Sequence, residues 1–285
     1  MPYISAMRGG LISIVVFALI EFLVPMPIQK AEGVEIILTL STFLFAILVG
    51  FFIARLNSRY DQLRDTVAHE DALWLSLFEF SDYFDKSFTK KVVELIDAYY
   101  VISYDYELGQ YYKQNAPILA KLYELFETAK VKKASKSAEI FDEAIATLSA
   151  IEADRNKCSV LRREGMTSGQ WFIVLLLGGM IIFSMYSYGM TMLYFQVMTI
   201  ILSSVVVMII LTIRDLHLMR LGGKLAAEES GEEVFEAIGK KRYYNQFYLK
   251  QGVVRVPKEV KEYRLGRHKP GEKQDIIFVK NKAKA

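Results

Sequence analysis

The sequence predicts an all-α, four-span membrane protein: two membrane hairpins, a cytoplasmic helical bundle between them and a short mixed C-terminal tail. Three observations predict it. Residues 11–28 and 34–54 form a pair of nearly charge-free stretches. Residues 171–213 then run for 43 positions without an Asp, Glu, Lys or Arg. As one helix that run is about 65 Å long, roughly twice a bilayer core, so it must fold back on itself. Ser187-Tyr188-Gly189 is its only plausible corner. Third, Lys and Arg avoid the two short outer loops, which hold Lys30 alone, and crowd the remaining segments. The expected parts are therefore 1–56 (spans 11–28 and 34–56), 57–168 (bundle), 169–213 (spans 171–187 and 191–213) and 214–285 (helix and basic tail).

The first span follows Arg8 and leaves through Val24-Pro25-Met26-Pro27-Ile28-Gln29-Lys30. That exit carries no small-residue cleavage pattern, so the segment reads as a retained span rather than a signal peptide. Its one ionisable residue, Glu21, lies close to the outer end and suits an interfacial or inter-helix role. The second span does not stop at the membrane. No Gly or Pro occurs from Phe51 to Phe80, and apolar residues continue at Leu56, Tyr60, Leu63, Val67, Leu73 and Leu77. One helix of roughly 70 Å is expected from about Val34 to Phe80.

Ser81-Asp82 and Ser87-Phe88-Thr89 mark a turn and a fresh helix start. Val92, Leu95, Ile96, Tyr99, Ile102 and Tyr106 then form an apolar stripe at helical spacing. Asn115-Ala116-Pro117 is expected to break that region, with a short helix following to about Ala129. A Lys-rich connector, 131–136, leads to a helix carrying Ile140, Phe141, Ile145, Leu148 and Ile151 on one side. Small residues between Gly165 and Gly169 separate it from Trp171, an interfacial anchor. Beyond the last span, residues 214–238 are expected to continue as helix, ahead of two β-like runs, 252–256 and 275–279, that pair as a hairpin.

Orientation follows the positive charges. Arg55, Arg59 and Arg64 open the middle segment, Arg155, Lys157, Arg162 and Arg163 close it, and Arg214, Arg220 and Lys224 follow the last span. Both termini and the middle segment are thus expected on the cytoplasmic side of the inner (plasma) membrane. The net charge of +3 hides an imbalance: residues 240–285 carry 14 Lys and Arg against four acids, leaving −7 for the rest. Such a tail is drawn to anionic headgroups by about 1 kcal/mol per residue near the surface, or serves as a solvated tail. Nothing couples those charges to a nucleic-acid reader fold.

Chemistry is sparse. Cys158 is the only cysteine, so no internal disulfide forms. His69, His217 and His268 match no metal-ligand spacing. No phosphate loop, dinucleotide fingerprint or nucleophile elbow occurs, so neither an enzyme nor a cofactor is expected. Glu228, Glu229, Glu232, Glu233 and Glu236 make an acidic helix face, and Glu228, Glu232 and Glu236 would offer oxygens to a divalent cation. The alternating loop with its Gly turn is absent, however, and Glu236 stands four before Lys240, an ordinary helix pair; the face reads as solvated.

The informative candidates lie on the second span. Thr39, Phe43 and Ile47 are spaced i, i+4, i+8 and share one face. Around an axis of several subunits they make stacked apolar rings of the kind that gate by dewetting, and phenylalanine ring edges tolerate an anion. The alternative is ordinary packing inside one subunit. Arg55 and Arg59, at the cytoplasmic end of the span, either focus anions at a pore mouth or anchor topology.

Here the wording is also familiar. Ser41-Thr42-Phe43-Leu44-Phe45-Ala46-Ile47-Leu48-Val49, then Ala54-Arg55-Leu56-Asn57-Ser58-Arg59-Tyr60-Asp61-Gln62-Leu63, resembles the pore helix of bestrophins. There a Ser-Phe-x-Leu-Gly-Phe-Tyr-Val pattern runs into Arg-Trp-x-x-x-Tyr-x-x-Leu; Arg55, Tyr60 and Leu63 fall in matching places, Phe43 matches the first pore Phe, and Ile47 takes a neck position. Glu70-Asp71-Ala72-Leu73, Tyr99-Tyr100-Val101 leading to Glu107, and Arg162-Arg163 before Trp171 are similar to prokaryotic bestrophin-like proteins. The resemblance covers roughly residues 35–215. It implies a ring-shaped homo-oligomer, a pentamer, conducting small anions such as chloride along an axis lined by the second span. The Pro-Phe-Gly segment and dense Asp run of animal bestrophins are missing after the last span, so a calcium clasp is not expected. The competing reading is a membrane-anchored scaffold or signalling protein acting through its cytoplasmic bundle.

Overall fold

The computed structural model describes residues 4–23, 33–106, 111–129, 136–187, 192–220, 230–252 and 254–281. The chain divides into two compact units, residues 1–60 with 165–224 and residues 61–164 with 225–285. Lys30, the corner at Tyr188-Gly189, the connector 131–135 and Glu228 lie outside the described residues.

The first unit contains α1 (Ala6–Leu23), the leading part of α2 (Val34–Ser81), α6 (Ser168–Ser187) and α7 (Leu193–His217). All four helices are long and apolar enough to cross a membrane. At most 28 % of the apolar window in any of them is buried within the chain, so most of this surface needs an apolar surrounding. This is a membrane protein.

Sequence pairing suggests that α1 lies beside α2, yet its principal partner is α7. The reason is local. Gly9 and Gly10 carry no Cβ, and a Cβ there would stand 2.4 Å from Leu211 Cδ1 and 3.1 Å from Met208 Cγ. The Ala6 N–H donates to Asp215 Oδ2 at 2.9 Å, placing a carboxylate at the positive end of α1. Arg214 Nη2 donates to the Ile4 carbonyl at 2.5 Å, and the Tyr186 hydroxyl donates to the Phe17 carbonyl at 3.2 Å.

Val174, Leu177 and Ile181 of α6 pack with Val206 and Ile213 of α7, and Phe45, Val49 and Leu56 of α2 join the same cluster. Gly178 allows the close approach, since a Cβ there would lie 2.8 Å from Ile210 Cδ1 and 3.4 Å from Val206 Cγ1. Gly178→Leu is therefore expected to cost about 1–3 kcal/mol through overpacking. Gly179→Leu, whose Cβ meets nothing within 4 Å, should leave the melting temperature unchanged or higher. Thermal melts of the two variants check this.

The expected helix over 214–238 is interrupted. α7 ends at His217, Met219 takes a left-handed φ of 57°, and the Arg220 N–H returns to the Asp215 carbonyl at 2.8 Å. Met219 is fully buried, so packing outweighs the cost of that conformation.

The second unit contains the remainder of α2, which stays helical to Ser81 as expected, with α3 (Lys86–Asp105), α4 (Tyr111–Glu127), α5 (Lys136–Arg163), α8 (Ser230–Ala237) and α9 (Gln246–Gln251). Asp85 caps α3 by accepting the Ser87 and Phe88 N–H groups at 2.8 and 2.9 Å. Trp74, Leu77, Val92, Ile96, Leu122, Phe126, Leu148 and Phe235 meet in one core. Pro117 does not break the chain; it sits inside α4. The neighbouring Asn115 is buried and donates through Nδ2 to Ser103 Oγ at 2.8 Å, while Leu119, Leu122 and Phe126 insert into the core, so packing carries the helix past the missing N–H.

The tail folds into a small three-stranded sheet. β1 (Tyr243–Asn245) pairs in parallel with β2 (Glu262–Gly266), which pairs antiparallel with β3 (Ile276–Lys280). The expected 252–256 partner is replaced by β2. Gly252 instead closes α9 in a left-handed conformation, φ 71°, donating back to the Leu249 carbonyl.

Candidate functional site

Within α2 the helical period separates two faces of the apolar segment. Ser41, Phe45, Val49 and Leu56 are buried, and the Ser41 hydroxyl donates back to the Ile37 carbonyl. Thr39, Phe43 and Ile47 lie on the opposite, exposed side. Phe43 is 64 % and Ile47 48 % exposed, whereas Phe45 is 5 % exposed. Successive members of the stripe rise about 6 Å along the axis. Packing inside the chain thus uses Phe45 and Val49 and leaves Phe43 and Ile47 exposed.

At the far end of this segment the two arginines part company. Arg55 is exposed, while Arg59 is only 5 % exposed. Both line a small recess with Phe52, Leu56, Gly165 and Met166. Arg59 Nη2 donates to the His217 carbonyl at 3.3 Å, setting a cation at the negative end of α7. His217 is also held from its ring: Nδ1 accepts the Met166 N–H at 3.1 Å, and the Trp171 ring stands edge-on at 5.7 Å. A Cβ on Gly165 would reach 2.4 Å from His217 Cε1, so the 164–167 connection closes directly over the imidazole. Sequence reasoning considered His217 only as a metal ligand and missed this role.

The acidic face is not simply solvated. Glu232 is buried; its Oε1 accepts the Tyr244 hydroxyl at 2.7 Å and its Oε2 pairs with Arg242 Nη1. Glu236 Oε1 accepts Arg242 Nε at 2.7 Å, so Glu236 pairs with Arg242 and not with Lys240 as expected. Burial, then Glu232, pushes the Tyr244 hydroxyl pKa up. Among the described residues no group of three or more His, Cys, Asp or Glu is arranged to hold a metal.

Two further polar clusters sit in the second unit. At the end of α3, Asp105 is buried and receives four donors. Tyr243 Oη (2.5 Å) and Asn245 Nδ2 (2.8 Å) meet Oδ1; His268 Nε2 (2.8 Å) and Gln274 Nε2 (3.4 Å) meet Oδ2. His268 Nδ1 accepts the Asp275 N–H at 3.1 Å, which fixes the ring proton on Nε2, facing Asp105. About two turns earlier, Asp97 forms a two-pronged pair with Arg264 at 2.8 and 2.6 Å, the guanidinium lying 4.9 Å from the Phe235 ring centre. Among the described residues, five basic residues of the tail pair with acids within the unit: Arg242, Arg264, Arg267, Lys241 and Lys280.

The other cluster joins α2, α3 and α5. Glu70 and Asp71 are both buried; Glu70 accepts the Tyr99 hydroxyl, and Asp71 Oδ1 accepts Tyr100 Oη at 2.5 Å. The Trp74 ring lies 4.5 Å from Tyr99 and donates through Nε1 to Glu70 at a long 3.5 Å. Burial is the main cause lifting the Glu70 pKa to about 7, Asp71 adds to it, and the Tyr99 and Trp74 donors oppose it. The available signal was two adjacent acids inside an apolar stripe opposite two adjacent tyrosines.

A family model described as Bestrophin-like domain matches residues 11–217. No curated protein and no solved structure matches the chain.

Proposed function

The chain belongs to the bestrophin-like family, and on that membership we propose that it is a homo-oligomeric ion channel conducting small anions, chloride first. The pore is lined by α2, with Thr39, Phe43 and Ile47 facing the axis. The single observation that carries this placement is the exposure of that stripe beside the buried Phe45 and Val49, which leaves it open to copies of the same chain. Stacked apolar rings oppose ion passage by dewetting and let small changes in radius act as a gate. Arg55, exposed at the end of the span, supplies positive potential at the mouth.

The assembly is taken as a pentamer in the inner (plasma) membrane, with two hairpins spanning the bilayer. The helical bundle, both termini and the basic tail face the cytoplasm, and the tail's remaining lysines face anionic lipid. Positive-charge asymmetry and the family support these assignments.

The purified chain, reconstituted in liposomes, should pass chloride and run as a closed homo-oligomer by native mass spectrometry. A monomer without chloride flux would favour the competing reading, a membrane-anchored scaffold working through its helical bundle.

A further inference from the structure

We propose that the buried Glu70–Asp71 pair is a proton-binding site, taking up and releasing one proton at Glu70 and thereby setting how firmly α2 is held against α3 and α5. Geometry carries the assignment. Two carboxylates that are neighbours in sequence are both withdrawn from water, at 5 % and 7 % exposure. Each is met from α3 by one tyrosine hydroxyl, Tyr99 for Glu70 and Tyr100 for Asp71. Two adjacent buried negative charges repel, and burial penalises each ionised form; keeping one proton on the pair relieves both costs.

The surrounding groups do not abolish that preference. From α2 itself come His69, Asp71 and Trp74; His69 is largely exposed, and its Nδ1 lies 2.5 Å from Asp154 Oδ2 of α5. From α3 come Tyr99 and Tyr100, whose hydroxyl pKa values are raised by burial and by the two carboxylates, so they remain neutral donors. From α5 come Asp154, Arg155 and Cys158: Asp154 adds negative charge at Glu70, while Arg155 and Cys158 act on Tyr99. Arg155 is itself buried, with Nη2 3.5 Å from Glu152 Oε1. The neutral Glu70 carboxyl can still accept from Tyr99, so protonation keeps that contact.

The direction of the pH effect follows from linkage. Glu70 is raised from 4.5 to about 7, so between these values the folded chain holds a proton that the unfolded chain has lost. The stabilisation is complete below the lower value and disappears as pH rises through about 7. It does not return at higher pH.

The test uses the full chain in nanodiscs. The wild-type melting temperature should fall as pH is raised from about 5 and level off above about 7. Glu70→Gln, which keeps shape and acceptor but cannot ionise, should remove that component of the slope. His69→Asn should retain it, which separates Glu70 from the neighbouring imidazole. Infrared difference spectra of the wild type should show a protonated-carboxyl band that disappears with its midpoint near pH 7. Asp71→Asn should move the midpoint to lower pH. A Glu70→Gln slope equal to wild type overturns the proposal. Should that variant fail to fold, the absence of a pH-dependent carboxyl band in the wild type, or an unmoved midpoint in Asp71→Asn, overturns it equally.

Discussion

Asp105→Ala is expected to destabilise the second unit by about 3–5 kcal/mol, the range seen when one partner of a buried charged cluster is removed. The carboxylate sits 3 % exposed at the end of α3 and accepts from Tyr243, Asn245, His268 and Gln274, all of which lie in the C-terminal segment. Its loss strands three buried donors together, which costs far more than a surface ion pair. Asp105→Asn should be damaging as well. It keeps one oxygen for Tyr243 and Asn245, but its amide then opposes His268 Nε2, which is already a donor because Nδ1 accepts from Asp275. Hydrogen exchange should show early opening of residues 243–281, with the first unit's helices protected as before. Protection of that segment equal to wild type would mean that Asp97–Arg264 and Phe235 hold it without Asp105.

The helices were legible for different reasons from their partners. A run without Gly or Pro, apolar at every third or fourth position, can only be read as one long helix, and α2 indeed extends from Val34 to Ser81. Its uncharged first half reads equally directly as a membrane span. Partner choice was not legible. Nothing near Gly9-Gly10 announces Met208 and Leu211, some two hundred residues away, and chain order alone favours α2 as the neighbour of α1. Pro117 misled because a propensity argument is local, whereas the burial of Leu119, Leu122 and Phe126 is not. The C-terminal segment misled through counting: a surplus of +10 suggests solvation until Arg242 and Arg264 are matched to Glu232 and Asp97 from other elements.

The site candidates divide the same way. Helical spacing places Thr39, Phe43 and Ile47 on one face, but a 3.6-residue period offers Ser41, Phe45 and Val49 as an equally regular face. Only the packing of α2 against Val174, Leu177 and Val206 tells which of the two is used inside the chain. Arg55 and Arg59 look equivalent in sequence. The fold separates them, sending Arg59 to the carbonyl end of α7 and leaving Arg55 exposed. Glu70 and Asp71 were noticed only as part of a family-like string, because their burial depends on tyrosines contributed by α3.

The central claim is that the exposed face of α2 lines a pore, and chloride flux measured with the melting temperature on one preparation of Phe43→Ala/Ile47→Ala tests it most directly. Removing both side chains widens the apolar constriction and lowers the dewetting barrier, so flux should rise. Stability should stay near wild type, because the two residues are 64 % and 48 % exposed within the chain. Phe45→Ala supplies the contrast. That ring is buried among α6 and α7 side chains, so its loss should cost about 3–5 kcal/mol without any gain in conductance. Chloride flux unchanged from wild type in an intact Phe43→Ala/Ile47→Ala oligomer, or absent from both proteins, would contradict the account.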